Sequence, residues 1–569
     1  MNADNSAISK IRSVVHVLDG EVSVVIGGRA GEGISSAGQV TAQILSHLGY
    51  HVHMYLDYPS LIKGGHNYCV IRGSTRYSGS IREKADFIVA LNKESIDRHI
   101  GDLSPGGEVI YNADTVRPGS GTGVFVSSIL AAEKAPDVMA NSAMIGAFAR
   151  TAGIAWEDVA DVFRKSLPKG TDQNLKVAGR AYREAETRLP VPRQNYPAFP
   201  VVTGNEAIAI GLVMGGLEVY YSYPMSPTSN VLHFLAGTTR EFHIRTVQPE
   251  SEIAVVLMAL GSAYAGAKAA VGTSGGGFCL MTEGISLAGI AEIPLVIILG
   301  QRTGPSTGLA TYTAQSDLHF ALNAGQGDVP KCILAPGDAG EARELSGLAM
   351  DIAWKYQLPV IVLSDKIICE GMFSMETAPG GQHLPVEPPS EDPARPYLRY
   401  RLTGTGISPV QYPPLEGEVI RVNSHVHSED GITTEDAEIT RVMADKRRKK
   451  MELLSREVES LEPVNVFGNL NSTTALLCWG SNKGVCKEAG DTLGLRVIQP
   501  KIIWPFPGYE FTKAMDGITE LYAVETNETG QFARYISQYG YVTKGKILKY
   551  DGRPFTIDEL LKKLEDILP

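Results

Sequence analysis

Short runs of β-branched and aliphatic residues alternate along this chain with longer stretches whose apolar positions recur every three or four residues. The first kind reads as strands, the second as helices with one buried face. Over the first third the pattern predicts strands at 22–26, 51–56, 67–72, 86–91, 108–111 and 124–126. Helices are predicted at 34–48, 141–151 and 173–188. A stretch with four prolines and no periodic face, 189–200, reads as a stiff linker. Alternation then resumes, with helices at 204–214, 251–264 and 339–354. The strands between them fall at 218–221, 269–273, 294–299, 331–334 and 359–363. The run 294–299 is apolar throughout, as a strand covered on both faces of a parallel sheet must be. From 376 to about 426 the pattern dissolves into proline- and glycine-rich loop. A long charged helix follows at 434–461, and its run Lys446-Arg447-Arg448-Lys449-Lys450 reads as a solvated face. Strands at 474–479, 495–499 and 521–525 and a helix at 557–568 close the chain. The expected fold class is α/β, with three α/β domains at 1–188, 201–375 and 466–569. The linker 189–200 and the extended segment 376–465 separate them.

Composition narrows the function classes. At 569 residues the chain is too long for one core. A hydrophobic share of 43% with 60 glycines suits a folded, loop-rich α/β protein. The net charge of −11 argues against nucleic acid as a partner. No apolar run has the length of a membrane span, and the start Met1-Asn2-Ala3-Asp4-Asn5 has no signal-peptide character, so the cytoplasm is the default expectation. The six cysteines, Cys69, Cys279, Cys332, Cys369, Cys478 and Cys486, include no Cys-x-x-Cys pair and no iron–sulfur spacing. Most read as buried free thiols.

Three predicted strands of the central domain each end in a loop of Gly, Pro, Ser and Thr. These loops are Tyr223-Pro224-Met225-Ser226-Pro227, Thr273-Ser274-Gly275-Gly276-Gly277 and Gln301-Arg302-Thr303-Gly304-Pro305-Ser306-Thr307-Gly308. In a parallel sheet such loops line the crevice at the strands' C-terminal edge, where ligands bind. Between them stands Glu250-Ser251-Glu252, at the start of an almost wholly apolar helix. Ser251 and Glu252 have a plain reading as helix-start residues answering free amides. Against it, a carboxyl driven into apolar surroundings has its pKa raised by desolvation unless a partner holds it. Near the N-terminus, Gly27-Gly28-Arg29-Ala30-Gly31-Glu32-Gly33 joins a strand to a helix, an arrangement that offers amides to a phosphate. The glycine order is not the dinucleotide G-x-G-x-x-G, and a tight turn without a ligand is an equal reading.

The four central motifs, in this order, resemble the alpha subunit of the 2-oxoacid:ferredoxin oxidoreductases, and the first 188 residues resemble the gamma subunit fused ahead of it. The resemblance implies a thiamine diphosphate-binding, pyrimidine-type fold in the central domain and a transketolase C-terminal-like fold in the last. It implies a cofactor shared with a beta subunit, because the chain has no Gly-Asp-Gly to hold the diphosphate and its Mg2+. The 4Fe–4S cluster is likewise expected in that partner, so no metal site is expected here.

In such enzymes one glutamate keeps a proton at N1′ of the aminopyrimidine, a task for a carboxyl with a raised pKa. Glu252 is the candidate, with Glu250 as fallback. Tyr223, Pro224, Thr273, Ser274 and Gly275 are expected against the cofactor. Arg302 offers a fork for a substrate carboxylate, with Ser226 donating a hydroxyl to it; an interdomain salt bridge is the plainer reading of Arg302. Coenzyme A is the implied co-substrate, with Gly28, Arg29, Gly31, Gly33 and Lys63 (and His66) as a possible phosphate loop. The resemblance points to 2-oxoglutarate and succinyl-CoA ahead of pyruvate, branched-chain or generic 2-oxoacids, with ferredoxin as acceptor and an (alpha-beta)2 heterotetramer as assembly. The rival from another class is a noncatalytic scaffold that binds coenzyme A or a nucleotide.

Overall fold

The structure is a computed structural model that describes residues 20–60, 65–167, 170–375 and 383–568. The chain divides into two compact units at Val201.

The first unit is built on β1 (Glu21–Arg29), β2 (His51–Asp57), β3 (His66–Ser74), β4 (Ala85–Ala90), β5 (Leu103–Asn112) and β6 (Thr122–Val124), in the order β6-β5-β4-β1-β3-β2. β1 runs antiparallel to β3, Glu21 facing Ser74 and Arg29 facing His66, and parallel to β4. Helices α1 (Ile34–His47), α2 (Lys93–His99), α3 (Val126–Ala132), α4 (Ala140–Thr151), α5 (Trp156–Ser166) and α6 (Thr171–Glu184) cover the sheet. The proline-rich stretch expected as a linker lies against this unit. Leu189 and Val191 are buried, the Tyr50 hydroxyl donates to the Pro192 carbonyl at 2.8 Å, and Ser46 Oγ donates to that of Phe199 at 2.7 Å. Prolines bring no amide, but their carbonyls still accept.

β7 (Val201–Thr203) spans the boundary and leads into α7 (Gly204–Met214). The second unit continues with β8 (Val219–Ser222), α8 (Ser229–Gly237), α9 (Thr239–Phe242), β9 (Arg245–Val247), α10 (Glu252–Tyr264), β10 (Ala269–Ser274), α11 (Gly275–Ala291) and β11 (Leu295–Gln301). Then come α12 (Leu318–Asn323), β12 (Cys332–Leu334), α13 (Ala339–Tyr356), β13 (Pro359–Asp365), α14 (Lys366–Glu370), β14 (Met372–Ser374) and the long α15 (Ala437–Val458). Its last part holds β15 (Val464–Gly468), β16 (Thr474–Leu477), α16 (Asn482–Leu493), β17 (Arg496–Pro500), β18 (Ile502–Trp504), α17 (Gly508–Ala514), β19 (Glu520–Glu525), α18 (Gln531–Ser537), β20 (Gly545–Leu548) and α19 (Ile557–Glu565).

Two sheets result, one of seven strands in the order β18-β12-β13-β11-β10-β8-β9 and one of five in the order β15-β17-β16-β19-β20. The α/β class expected from the pattern is what the fold shows. β8, β10, β11 and β13 pair in parallel and are buried almost throughout, so their loops gather at one edge. β18 pairs antiparallel with β12, so the C-terminal part of the chain lends an edge strand to the central sheet.

The charged helix departs from its sequence reading. Lys446 and Lys450 are 2% and 0% exposed, and both ammonium groups bind the buried Glu292, at 2.6 and 2.7 Å. Positions four apart share a helix face, and this one is turned inward. Among the described residues no helix is long and apolar enough to cross a membrane.

Candidate functional site

α10 begins with Ser251 at its N-cap, whose side chain accepts from Ala254 N–H at 3.5 Å. That leaves Glu252 free of the capping role. Glu250 is exposed, while Glu252 is 4% exposed and its Oε1 is buried without a hydrogen-bond partner. The burial comes from across the site rather than from Glu252's own helix, since Ile253, Leu257 and Met258 of α10 face outward. The covering element is the first turn of α11. A Cβ on Gly277 would stand 2.5 Å from Glu252 Oε1 and 2.6 Å from its Cγ, and would also strike Thr273 Oγ1.

The other two glycines of this turn have different surroundings. A Cβ on Gly275 would come within 2.8 Å of Asp317 Oδ2, whereas one on Gly276 would meet nothing within 4 Å. Gly275 and Gly277 therefore admit two carboxylates to the helix start, and Gly276 faces open space. Ser274, the N-cap of α11, makes no capping bond, and its buried Oγ has no partner.

The loop after β8 brings Ser226 to Arg302. Arg302 Nη1 donates to the Ser226 carbonyl at 3.1 Å and to that of Ala310 at 3.5 Å, while its Nε is buried without an acceptor. Burial lowers the Arg302 pKa, with Asp317 pulling the other way. Asp317 was not legible as a site residue: an aspartate ahead of an apolar Leu318 reads as a helix cap. Burial pushes it up to about 6, against the pull of Arg302. Tyr223 and Pro224, on the same loop, are exposed.

Glu252, Thr273, Ser274, Gly275, Asp317, Ser226 and Arg302 thus converge on strand ends of one sheet. Four of them contribute buried polar atoms that lack partners: Glu252 Oε1, Ser274 Oγ, Asp317 Oδ2 and Arg302 Nε. Such atoms are costly and rare in native folds unless something else meets them. The set offers acceptors, a hydroxyl and a cation, which fits an aminopyrimidine ring and a carboxylate anion.

The phosphate-loop candidates lie in the first unit. Gly31 and Gly33 have φ of 93° and 73°, which favours glycine. Glu32 Oε2 accepts from Arg29 N–H at 2.6 Å and stands 2.6 Å from a Cβ placed on Gly28. The loop thereby answers one of its amides with its own carboxylate, which opposes an anion at that spot. Lys63 lies outside the described residues. His66 Nε2 is 2.8 Å from His99 Nε2, and burial brings both imidazoles down to about 4. Five cysteines are buried as expected, but Cys279, on α11, is exposed.

Comparison with known proteins identifies the family. The family described as pyruvate flavodoxin/ferredoxin oxidoreductase, thiamine diphosphate-binding, matches residues 210–446, and the pyruvate ferredoxin/flavodoxin oxidoreductase family matches 23–184. The 2-oxoacid:ferredoxin oxidoreductase 2 subunit alpha of Aeropyrum pernix is 30% identical over 96% of this chain and 98% of its own. The 2-oxoglutarate oxidoreductase subunit KorA of Mycobacterium tuberculosis is 28% identical over 84% of this chain and 80% of its own. A solved 2-oxoglutarate:ferredoxin oxidoreductase from Magnetococcus marinus, with 2-oxoglutarate, coenzyme A and succinyl-CoA bound, superposes with a TM-score of 0.85. It is 25% identical, over 96% of this chain and 99% of that one. With a thiamine diphosphate-binding domain at its centre and near-complete coverage of these relatives, the chain belongs to the 2-oxoacid:ferredoxin oxidoreductases, as their alpha subunit.

Proposed function

We propose that this chain is the fused gamma–alpha subunit of an enzyme that decarboxylates 2-oxoglutarate to succinyl-CoA, reducing ferredoxin, or runs the reverse reaction. The observation that carries the reading is the buried Glu252 carboxylate, Oε1 unanswered, against the first turn of α11. The substrate is supported by the Mycobacterium tuberculosis and Magnetococcus marinus relatives, whose names specify 2-oxoglutarate. When bound, thiamine diphosphate supplies the carbon nucleophile and the electron sink for this decarboxylation.

Glu252 holds a proton at the pyrimidine nitrogen. Thr273, Ser274 and the open side of Gly276 line the ring. Arg302, fixed by the Ser226 and Ala310 carbonyls, receives the substrate carboxylate through its free Nε edge, with Ser226 beside it. A beta subunit completes the site and carries the diphosphate's magnesium and the 4Fe–4S cluster, since this chain has neither Gly-Asp-Gly nor a cysteine cluster spacing. The outward apolar side chains Ile253, Leu257 and Met258, next to Glu252, suit a partner closing over the site, in an (alpha-beta)2 assembly.

The test is Glu252→Gln beside Glu250→Gln in the assembled complex. Glu252→Gln slows exchange of the cofactor's C2 proton, followed by NMR, and 2-oxoglutarate turnover by about a hundredfold or more. Glu250→Gln leaves both near wild type. Wild-type exchange in Glu252→Gln would overturn the assignment, and a higher kcat/KM for pyruvate than for 2-oxoglutarate would overturn the substrate.

A further inference from the structure

Asp317 stands at the N-cap of α12, where an aspartate ordinarily accepts from the helix's own amides, yet its side chain makes no such bond. Both carboxylate oxygens are turned instead toward Gly275: a Cβ there would meet Oδ2 at 2.8 Å and Oδ1 at 3.3 Å. The placement is held from the main chain. Asp317 N–H donates to Gln301 Oε1 at 3.0 Å, and Gln301 Nε2 donates to the Ser364 carbonyl at 3.1 Å. A carboxylate that gives up its cap and keeps Oδ2 buried without a partner is held for something other than its own helix. Arg302 shows the complementary pattern, with Nη1 anchored on two carbonyls and Nε buried without an acceptor. The two groups act on each other through charge, and burial sets the direction for both.

We propose that Asp317 is a positioning residue that takes up one proton when the substrate carboxylate docks at Arg302, so that anion and proton enter the site together. The proposal rests on Arg302 as the carboxylate receptor. An ionised Asp317 would compete for the same guanidinium and repel the incoming anion. A neutral Asp317 leaves Arg302 to the substrate. Two carboxylates beside one cation, once the docked ligand displaces water from these half-buried groups, share a proton, which here comes from solvent and returns to it when the site empties.

Asp365, paired with Gln301 across β11 and β13, is a second carboxyl that burial pushes up to about 6. Its oxygens are taken by Ser481 Oγ and the Ile367 and Ile368 amides, so it has no open face for the substrate anion. Arg302 comes from the end of β11, and the first turn of α11 carries no acidic residue. Glu252 reaches that turn from α10, at Gly277. His319, two residues on, has its N–H bonded to Gln531 Oε1 at 3.1 Å, and its ring titration is governed by burial, then Arg534 and Glu525.

The experiment uses the assembled enzyme and 2-hydroxyglutarate, which carries the carboxylates without an oxo carbon to attack. Calorimetry at pH 7 in two buffers of different ionisation enthalpy counts protons. Wild type takes up about one proton per site, and the Kd rises about tenfold per pH unit above pH 6. Asp317→Asn takes up none, and its Kd is flat across that range. A constant weakening with the wild-type slope means a merely structural role and overturns the proposal. Zero uptake by wild type overturns it too, without any variant having to fold. Arg302→Gln separates the two layers. An unchanged Kd in that variant removes the receptor reading and the coupling with it. A raised Kd in that variant, with wild-type enzyme itself taking up no proton, removes the coupling alone. The variant's own uptake is expected to be small, because without Arg302 the Asp317 carboxyl is already protonated.

Discussion

Glu252 Oε1 lies 2.5 Å from the point where a side chain on Gly277 would begin. Neither group can move far, because Glu252 opens α10 and Gly277 sits in the first turn of α11. Gly277→Ala is therefore expected to push the carboxylate aside and to cost about 1–3 kcal/mol, the range for overpacking a buried site. Activity should fall with it. Gly276→Ala, whose methyl would meet nothing, is expected to change stability by less than about 0.5 kcal/mol. Denaturant midpoints of the two variants check the contrast, and equal midpoints would remove the close approach as the reason for glycine at 277.

Asp317 makes stability depend on pH. Its folded pKa of about 6 lies above its ordinary 3.8, so between these values the native chain keeps a proton that the unfolded chain has released. Stability falls as pH rises through that window, and the whole cost stands above it. Asp317→Asn removes the cost. Its thermal midpoint should exceed that of wild type most at pH 8, by about half as much in free energy at pH 5, and should converge on it only below the ordinary 3.8, with a gain of about 1–3 kcal/mol at most. A gain of equal size at both pH values would mean that packing, not ionisation, is responsible.

Local pattern carried much of this site and missed what depends on distant partners. The strands of the central sheet are readable because burial on both faces keeps them apolar up to their C-terminal ends, where the polar site residues begin. The choice of Glu252 over Glu250 rests on the apolar helix that follows it. Glu252 is indeed buried and Glu250 exposed, but the cover comes from the first turn of α11, which the local sequence does not show. The inward turn of Lys446 and Lys450 is not readable, since a run of five cations hides its own i,i+4 face and the partner Glu292 is over 150 positions away. Asp317 is hidden for a different reason. An aspartate before a helix fits the capping rule, and only the fold shows that it declines the cap.

The Glu292 cluster gives an asymmetric prediction. Burial pushes its carboxyl up, but Lys450 and Lys446 together hold it well below the usual carboxylate range, while burial brings Lys450 down to about 8. Glu292→Gln leaves two buried ammonium groups without their counter-ion and should destabilise by about 3–5 kcal/mol. Lys450→Met, which keeps the Lys446–Glu292 pair, should cost much less. Urea unfolding of both variants decides, and the reverse order would show that Lys450 rather than Glu292 is the indispensable member.

Gln315 ties the segment between Arg302 and Asp317 to the five-stranded sheet. Fully buried, its Nε2 donates to the Trp479 carbonyl at 2.7 Å, and its Oε1 accepts from Asn482 Nδ2 at 2.7 Å and Thr526 N–H at 3.0 Å. Its own N–H donates to the Thr526 carbonyl at 2.7 Å, and Asn527 Nδ2 donates to its carbonyl at 3.0 Å. Gln315→Ala removes the three side-chain bonds, leaving the Trp479 carbonyl and the Thr526 N–H without these partners and Asn482 Nδ2 with only its long bond to the Val524 carbonyl at 3.5 Å, at about 1–3 kcal/mol for each buried group left unmet. The backbone bonds to Thr526 and Asn527 remain, so the strands should stay paired while the loop loosens. The segment so released carries Asp317 two residues further on and begins next to Arg302. The expected signature is a lower unfolding midpoint together with a KM for 2-oxoglutarate raised severalfold, with kcat changed less, because Arg302 would be held less well for binding while Glu252 on α10 is untouched. A Gln315→Ala enzyme that loses stability but keeps the wild-type KM would show that this network supports the fold without positioning the substrate.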